Sequence, residues 1–147
     1  MYPRLMANIF KTVYTFEPHW ENFYSLVLNC NQENIIKING ALGDNHTMVS
    51  LDGGSDGNMG TWKTSENIHH SIPQFKIDDL ILQHLDLIYL DVEGYESKII
   101  IGAKNSIEKF KPVIVCENGH QYAEQLSSLN YKTADRSHSD TFFIFNE

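Results

Sequence analysis

Three apolar runs in the sequence end on an acid: TVYTFE at Glu17, LIYLDVE at Asp91 and Glu93, and PVIVCE at Glu117. Carboxylates gathered in this way can accept protons or hydroxyl hydrogen bonds, or hold a divalent ion. Each acid closes an apolar run, so the runs read as strands and the acids as one rim of a sheet. In open α/β sheets, ligands bind at the carboxyl ends of the strands. Asp91 and Glu93 are two residues apart and point to the same face of an extended chain, with Val92 on the other. Glu96 falls in the first turn of the next helix, where a negative charge meets the positive end of the helix dipole; its simplest role is to start that helix.

Other motifs fail their own tests. Asp52, Asp56 and Gly57 partly mimic a calcium loop over 52–63, but the twelfth position holds Lys63 where that loop needs Glu. The seven histidines include His69-His70 but show no ligand spacing, so they read as surface or loop residues. His120, close to Glu117, is the exception and joins Asp91, Glu93 and Glu117 as a catalytic candidate. Family 18 glycosidases end a barrel strand in a similar D-x-D-x-E run, but their barrel takes about 250 residues against the 147 here. Glu96-Ser97-Lys98 spells the E-x-K of some metal-dependent nucleases, yet it sits on a predicted helix where the motif needs a strand.

The elements that must position these acids are legible from periodicity. Strands are predicted at TVYTF (12–16), at 35–42, at TMVSLD, at 86–92, at PVIVCE, and in the closing YKTAD and TFFIFNE, which form a hairpin. Trp20, Phe23, Tyr24 and Val27 recur at i, i+3, i+4, i+7, giving an amphipathic helix over 19–31 with Pro18 at its start. Ile99, Ala103, Ile107 and Phe110 give another over about 96–109, and Tyr122, Leu126 and Leu129 a third over about 120–129. FKIDDLILQH (75–84) reads as a short strand or turn leading into one or two helical turns, and the glycine-rich 52–61 as a mobile loop. This order implies an α/β fold: a mainly parallel sheet with helices on both faces and a C-terminal antiparallel hairpin.

Size and charge narrow the function. A chain of 147 residues reads as a single domain. A net charge of −8, with no Lys/Arg cluster, disfavours nucleic acid and suits a neutral or cationic small molecule. Cys30 and Cys116, far apart and without a C-x-x-C pair, read as reduced buried thiols in a cytoplasmic protein. No apolar stretch approaches a membrane span, and MYPRLMANIFK lacks the h-region of a signal peptide, so a soluble, unprocessed chain is expected.

Taken together, VYTFEPHWENFYSLVLNCNQEN, IKINGALGD, the FKIDDLI…DLIYLDVEGYESKIIIGA run and KPVIVCENG resemble the FkbM family of S-adenosylmethionine-dependent methyltransferases, over roughly Val13 to Phe145. The resemblance implies the Rossmann-like class I methyltransferase fold, a seven-stranded sheet with a reversed last strand, and methylation of hydroxyl oxygens on small molecules or glycans. It places Glu17, in the F-E-P motif with Pro18, on the ribose hydroxyls of the cofactor, and Ala41, Leu42 and Asp44 by the adenine. It places Asp91 and Glu93 where the methionine end of the cofactor meets the acceptor. A divalent metal is compatible with these acids but not implied.

The family's fold opens on a strand and a glycine-rich turn, and no such stretch precedes Thr12. The chain therefore reads as an N-terminally truncated domain whose central strand is missing, leaving a gap or a direct re-pairing. Exposed edges would then invite pairing with a second copy or a complementing N-terminal fragment. A catalytically inactive binding or assembly module is the alternative reading.

Overall fold

The computed structural model describes residues 2–52, 63–65 and 71–147. Most of the glycine-rich loop, the calcium-loop candidate and the His69-His70 pair lie outside the described residues. The chain divides into two compact units, Met1–Leu42 with Thr47–Gln74, and Gly43–His46 with Phe75–Glu147.

In the first unit, α1 (Tyr2–Met6) precedes β1 (Val13–Phe16), α2 (Trp20–Asn29) and β2 (Ile35–Ile38). β1 and β2 pair in parallel, Val13 opposite Ile35 and Phe16 opposite Ile38, with α2 as the crossover. The predicted strand over 35–42 breaks at Asn39-Gly40, a turn dipeptide, and resumes as β3 (Ala41–Leu42). The Asn39 side-chain amide donates to the carbonyls of Glu17 and Pro18, fixing the chain where it leaves β1. β3 belongs to a four-stranded sheet of order β3-β6-β4-β5 that also contains β4 (Thr47–Asp52), β5 (Lys63–Ser65) and β6 (Ser71–Phe75). β4 runs antiparallel to both β5 and β6.

The face that α2 buries differs from the predicted stripe. Leu26 and Cys30 pack with Ile35, and Phe23, Val13 and Ala7 close the cluster. Trp20, Tyr24 and Val27 stay exposed, at 67%, 62% and 44%. Both stripes have helical spacing, and the one that meets β1 and β2 is the one that is buried. Leu26→Ala is accordingly expected to cost about 3 kcal/mol, and Trp20→Ala less than about 0.5 kcal/mol, by urea denaturation of each variant.

In the second unit, a 3-10 turn (Ile77–Asp79) leads to β7 (Leu87–Leu90), α3 (Glu96–Gly102), α4 (Lys104–Phe110) and β8 (Val113–Glu117). A second 3-10 turn (Gly119–Tyr122) and α5 (Ala123–Ser127) follow, then β9 (Tyr131–Ser137) and β10 (Asp140–Phe145). The sheet order is β7-β8-β10-β9, with β7 parallel to β8 and β10 antiparallel to both its neighbours. Ile88, Leu90, Ile99, Ile107, Ile114, Leu126 and Phe143 form its buried interior.

The single helix predicted over 96–109 is two helices because Asp78 intercepts it. Its carboxylate accepts the Asn105 N–H at 3.1 Å and the Ser106 N–H at 2.8 Å. In a continuous helix those groups would bond the carbonyls of residues 101 and 102. Asp78 thus caps α4 from a segment 27 residues earlier, and the chain bends at Ala103. α4 ends on Lys111 in the left-handed conformation (φ 53°), and Pro112 follows.

The α/β expectation holds and the C-terminal hairpin is present, but the sheets are mixed and not mainly parallel: β1-β2 and β7-β8 pair in parallel, whereas β10 with β8 and β9, and β4 with β5 and β6, are antiparallel. The expected single sheet resolves, among the described residues, into three hydrogen-bonded sheets: β1-β2, β3-β6-β4-β5 and β7-β8-β10-β9. Cys30 and Cys116 are both buried and are not joined in a disulfide. No helix among the described residues is long and apolar enough to cross a membrane.

Candidate active site

β7 and β8 run parallel, so their carboxyl ends lie side by side. Leu90, the last residue of β7, sits opposite Cys116, and each strand runs from there into acid: Asp91 on one, Glu117 on the other. Glu93 reaches the same place by a different route from the expected one. The chain is not extended past Leu90; Glu93 (φ 52°) and Gly94 (φ 94°) form a left-handed turn. That turn folds Glu93 back beside Asp91.

Oxygen atoms of Asp91, Glu93 and Glu117 all lie within 4.8 Å of one another. Asp91 and Glu93 are exposed and Glu117 is half-buried, so the cluster opens to solvent on one side. A fourth acid stands beside them. Asp140, the first residue of β10, is the antiparallel partner of Glu117.

The electrostatic consequence falls on Asp91, whose carboxyl is pushed up to about 6. Although the residue as a whole is exposed, partial desolvation of its carboxyl is the largest cause, followed by the hydrogen bond and charge of Glu117 and then the charges of Glu93 and Asp140. The neighbouring negative charges disfavour ionisation of Asp91, so it keeps its proton to a higher pH than a free aspartate and is ionised above about 6. Such a group can take a proton from a hydroxyl near neutral pH. The same oxygens would suit a hard divalent cation, but exposed acids often cluster with no ion, and the site carries no metal assignment.

The remaining candidates stand as follows. His120 lies exposed in the 3-10 turn after β8 and is not a member of the carboxylate cluster. Glu17 closes β1 in the first unit and accepts the His19 N–H at 2.8 Å. Its carboxyl is raised by burial, against the lowering effects of the His19 backbone, the His19 charge and the Asn22 side chain. Pro18 follows it, half-buried, just before α2. Ala41 is buried and Leu42 half-buried in β3 of the first unit, whereas Asp44 belongs to the second, in the loop Gly43–His46. Gly102 lies against that loop so closely that a Cβ on it would meet the Gly43 carbonyl oxygen at 1.8 Å.

Glu96 does start α3, as its position predicts, and it is also 3% exposed and accepts the Tyr122 hydroxyl at 2.6 Å. Burial, then the bond and charge of Glu96, push the Tyr122 hydroxyl well above its usual range. Cys116 is pushed up to about 12 by burial, Glu96 and Asp140, which makes it an inert thiol. Sequence reasoning missed Asp140 and Tyr122. The register of β10 on β8, had it been known, would have set Asp140 beside Glu117.

The sequence profile described as "Methyltransferase FkbM domain" matches residues 5–143. A crystal structure of methyltransferase FkbM from Methylobacillus flagellatus KT has a similar fold, with a TM-score of 0.63 at 18% identity. The similarity covers 92% of this chain and 37% of that one, so the chain spans little more than a third of the length of that relative. A search of curated proteins found no match. With a family profile spanning nearly its whole length, the chain belongs to the FkbM methyltransferase family.

Proposed function

We propose that this protein moves a methyl group from S-adenosylmethionine to a hydroxyl of a small molecule or glycan, with the Asp91–Glu117 pair taking the hydroxyl proton. The observation that carries the reading is the cluster of Asp91, Glu93 and Glu117 at the ends of two parallel strands, with one carboxyl raised to about 6. Family membership supports the donor. The β1-α2-β2 crossover and the β7-β8-β10-β9 sheet, with β10 reversed against β8, support a Rossmann-like class I arrangement with helices on both faces. A net charge of −8 agrees with a neutral or cationic acceptor, and two buried cysteines outside any disulfide agree with action in the cytoplasm.

Glu17 fits the ribose. A carboxylate offers about four lone-pair positions, and the His19 N–H and the Asn22 side chain engage it without exhausting them. Capacity remains for hydroxyl donors, as in dinucleotide sites. Half-buried Leu42 offers an apolar surface of the kind an adenine ring takes, with Ala41 buried beside it. When bound, the donor supplies a sulfonium methyl, which leaves as a cation equivalent and bonds the acceptor oxygen. The chain's own task is to orient that hydroxyl through Glu93 and to accept its proton on Asp91, with Glu117 sharing it. The proton then leaves to water through the open side of the cluster.

Amide chemical-shift mapping with S-adenosylmethionine tests the reading. Shifts are expected at His19, Leu42 to Asp44 and Val92 to Gly94; their absence from all three segments at saturating donor would overturn it and leave the inactive binding module.

A further inference from the structure

We infer that Glu96 and Tyr122 are positioning residues, whose hydrogen bond holds the turn bearing Asp91 and Glu93 against the 3-10 turn that follows Glu117 at the end of β8. The inference rests on the reading of this rim as the reaction site and deepens it. All the groups concerned belong to the second unit.

Four carboxyl groups on one rim repel each other. Asp140 stands directly opposite Glu117, and the oxygens of Asp91, Glu93 and Glu117 are within 4.8 Å of one another. The acids sit at strand ends and in turns, where the backbone yields more readily than in the sheet. Left alone, the turn 91–95 and the turn 118–122 would relax apart, and the closeness that raises the Asp91 carboxyl would be lost. Something must hold them together.

Glu96 is the first residue after one turn and Tyr122 the last of the other. The hydroxyl–carboxylate bond between them is 2.6 Å long, in the range of strong charge-assisted bonds. Packing alone does not require a carboxylate 3% exposed at this point; an apolar side chain would fill the space without the cost of burying a charge. Placed at the start of α3, the charge is favoured by the helix dipole. A second tie runs alongside: the Gln125 side-chain amide donates to the Ser97 carbonyl at 3.0 Å. On the far side, the Asn118 N–H donates to the Ser139 carbonyl at 2.7 Å, fixing the turn after Glu117 to the turn that presents Asp140. The rim is thus clamped from both directions.

The charged groups acting on the Asp91 carboxyl are Glu117, Glu93 and Asp140. Glu96 reaches Asp91 through geometry, and this separates the clamp from a direct electrostatic effect. The test is a carbon-detected NMR titration of the Asp91 carboxyl in the full chain, with thermal unfolding measured in parallel. The unaltered chain should titrate near 6. Tyr122→Phe, which removes the donor, should lower the midpoint by about one pH unit towards the ordinary aspartate value. Glu96→Gln, whose amide oxygen still accepts the hydroxyl, should keep it within about 0.3 unit.

Glu96→Asp keeps the charge but withdraws the acceptor by one methylene, and it should lower the midpoint by about half a unit. That variant carries the test if Tyr122→Phe does not fold. A midpoint unmoved in both Tyr122→Phe and Glu96→Asp, whatever their melting temperatures, would overturn the proposal, as would a Glu96→Gln shift equal to that of Tyr122→Phe. No methyl donor is present in this experiment, so failure of the methyl-transfer reading leaves its outcome unaffected.

Discussion

Gly102→Ala is expected to destabilise the protein by about 3 kcal/mol or more, a large part of the roughly 5–15 kcal/mol that holds a domain folded. The added Cβ would stand 1.8 Å from the Gly43 carbonyl oxygen, 2.8 Å from its carbon and 3.2 Å from the Asp44 Cα. All three are backbone atoms, so no side-chain rotation relieves the overlap. Either α3 must shift or the loop Gly43–His46 must leave it, and that loop is also held by the Gly43 N–H bond to the Phe75 carbonyl at 2.9 Å. Urea denaturation should show a lower midpoint. A variant within 0.5 kcal/mol of the parent, by the same slope-corrected extrapolation, would contradict the close approach.

Asp91→Asn should act in opposite directions on activity and stability. Removing the proton acceptor is expected to lower methyl transfer by about 10²–10⁴-fold, the usual contribution of a positioned base. Stability should rise at neutral pH. Asp91 holds its proton up to about 6 in the folded chain, against an ordinary value of 3.8. The folded state therefore binds the proton more tightly than the unfolded state does. No penalty exists below about pH 4, where both states are protonated; it grows as pH rises towards 6 and is constant above. Asparagine carries no charge to repel Glu117, Glu93 or Asp140. Because Asp91 is exposed, water screens much of the effect, leaving a gain on the order of 1 kcal/mol at pH 7 and almost none at pH 3.5. Thermal unfolding at the two pH values measures it. Equal gains at both would show that the cluster does not raise Asp91.

Local patterns made most of this architecture legible. Apolar runs closing on acids predicted β1, β7 and β8, and the parallel pairing of β7 with β8 then put Asp91 and Glu117 side by side. What the sequence concealed is set by contacts distant along the chain. Whether Trp20, Tyr24 and Val27 or Phe23, Leu26 and Cys30 turn inward depends on which stripe of α2 meets β1 and β2. The break at Ala103 depends on Asp78, which no helical periodicity contains.

The site shows the same division. Two-residue spacing suggested that Asp91 and Glu93 share a face, and they do converge, but through the left-handed turn at Glu93-Gly94. Glycine after an acid is a weak signal of such a turn until φ is known. Asp140 became visible only through the register of β10 on β8, and Tyr122 only through its bond to Glu96.

Calorimetric titration of the chain with S-adenosylmethionine tests the central claim most directly. Saturable heat is expected, and Glu17→Ala should weaken binding by at least about tenfold, equivalent to some 1.4 kcal/mol, whereas Glu108→Ala, on the exposed side of α4, should leave it unchanged. No heat from the intact chain, or equal affinity in Glu17→Ala, would contradict the account.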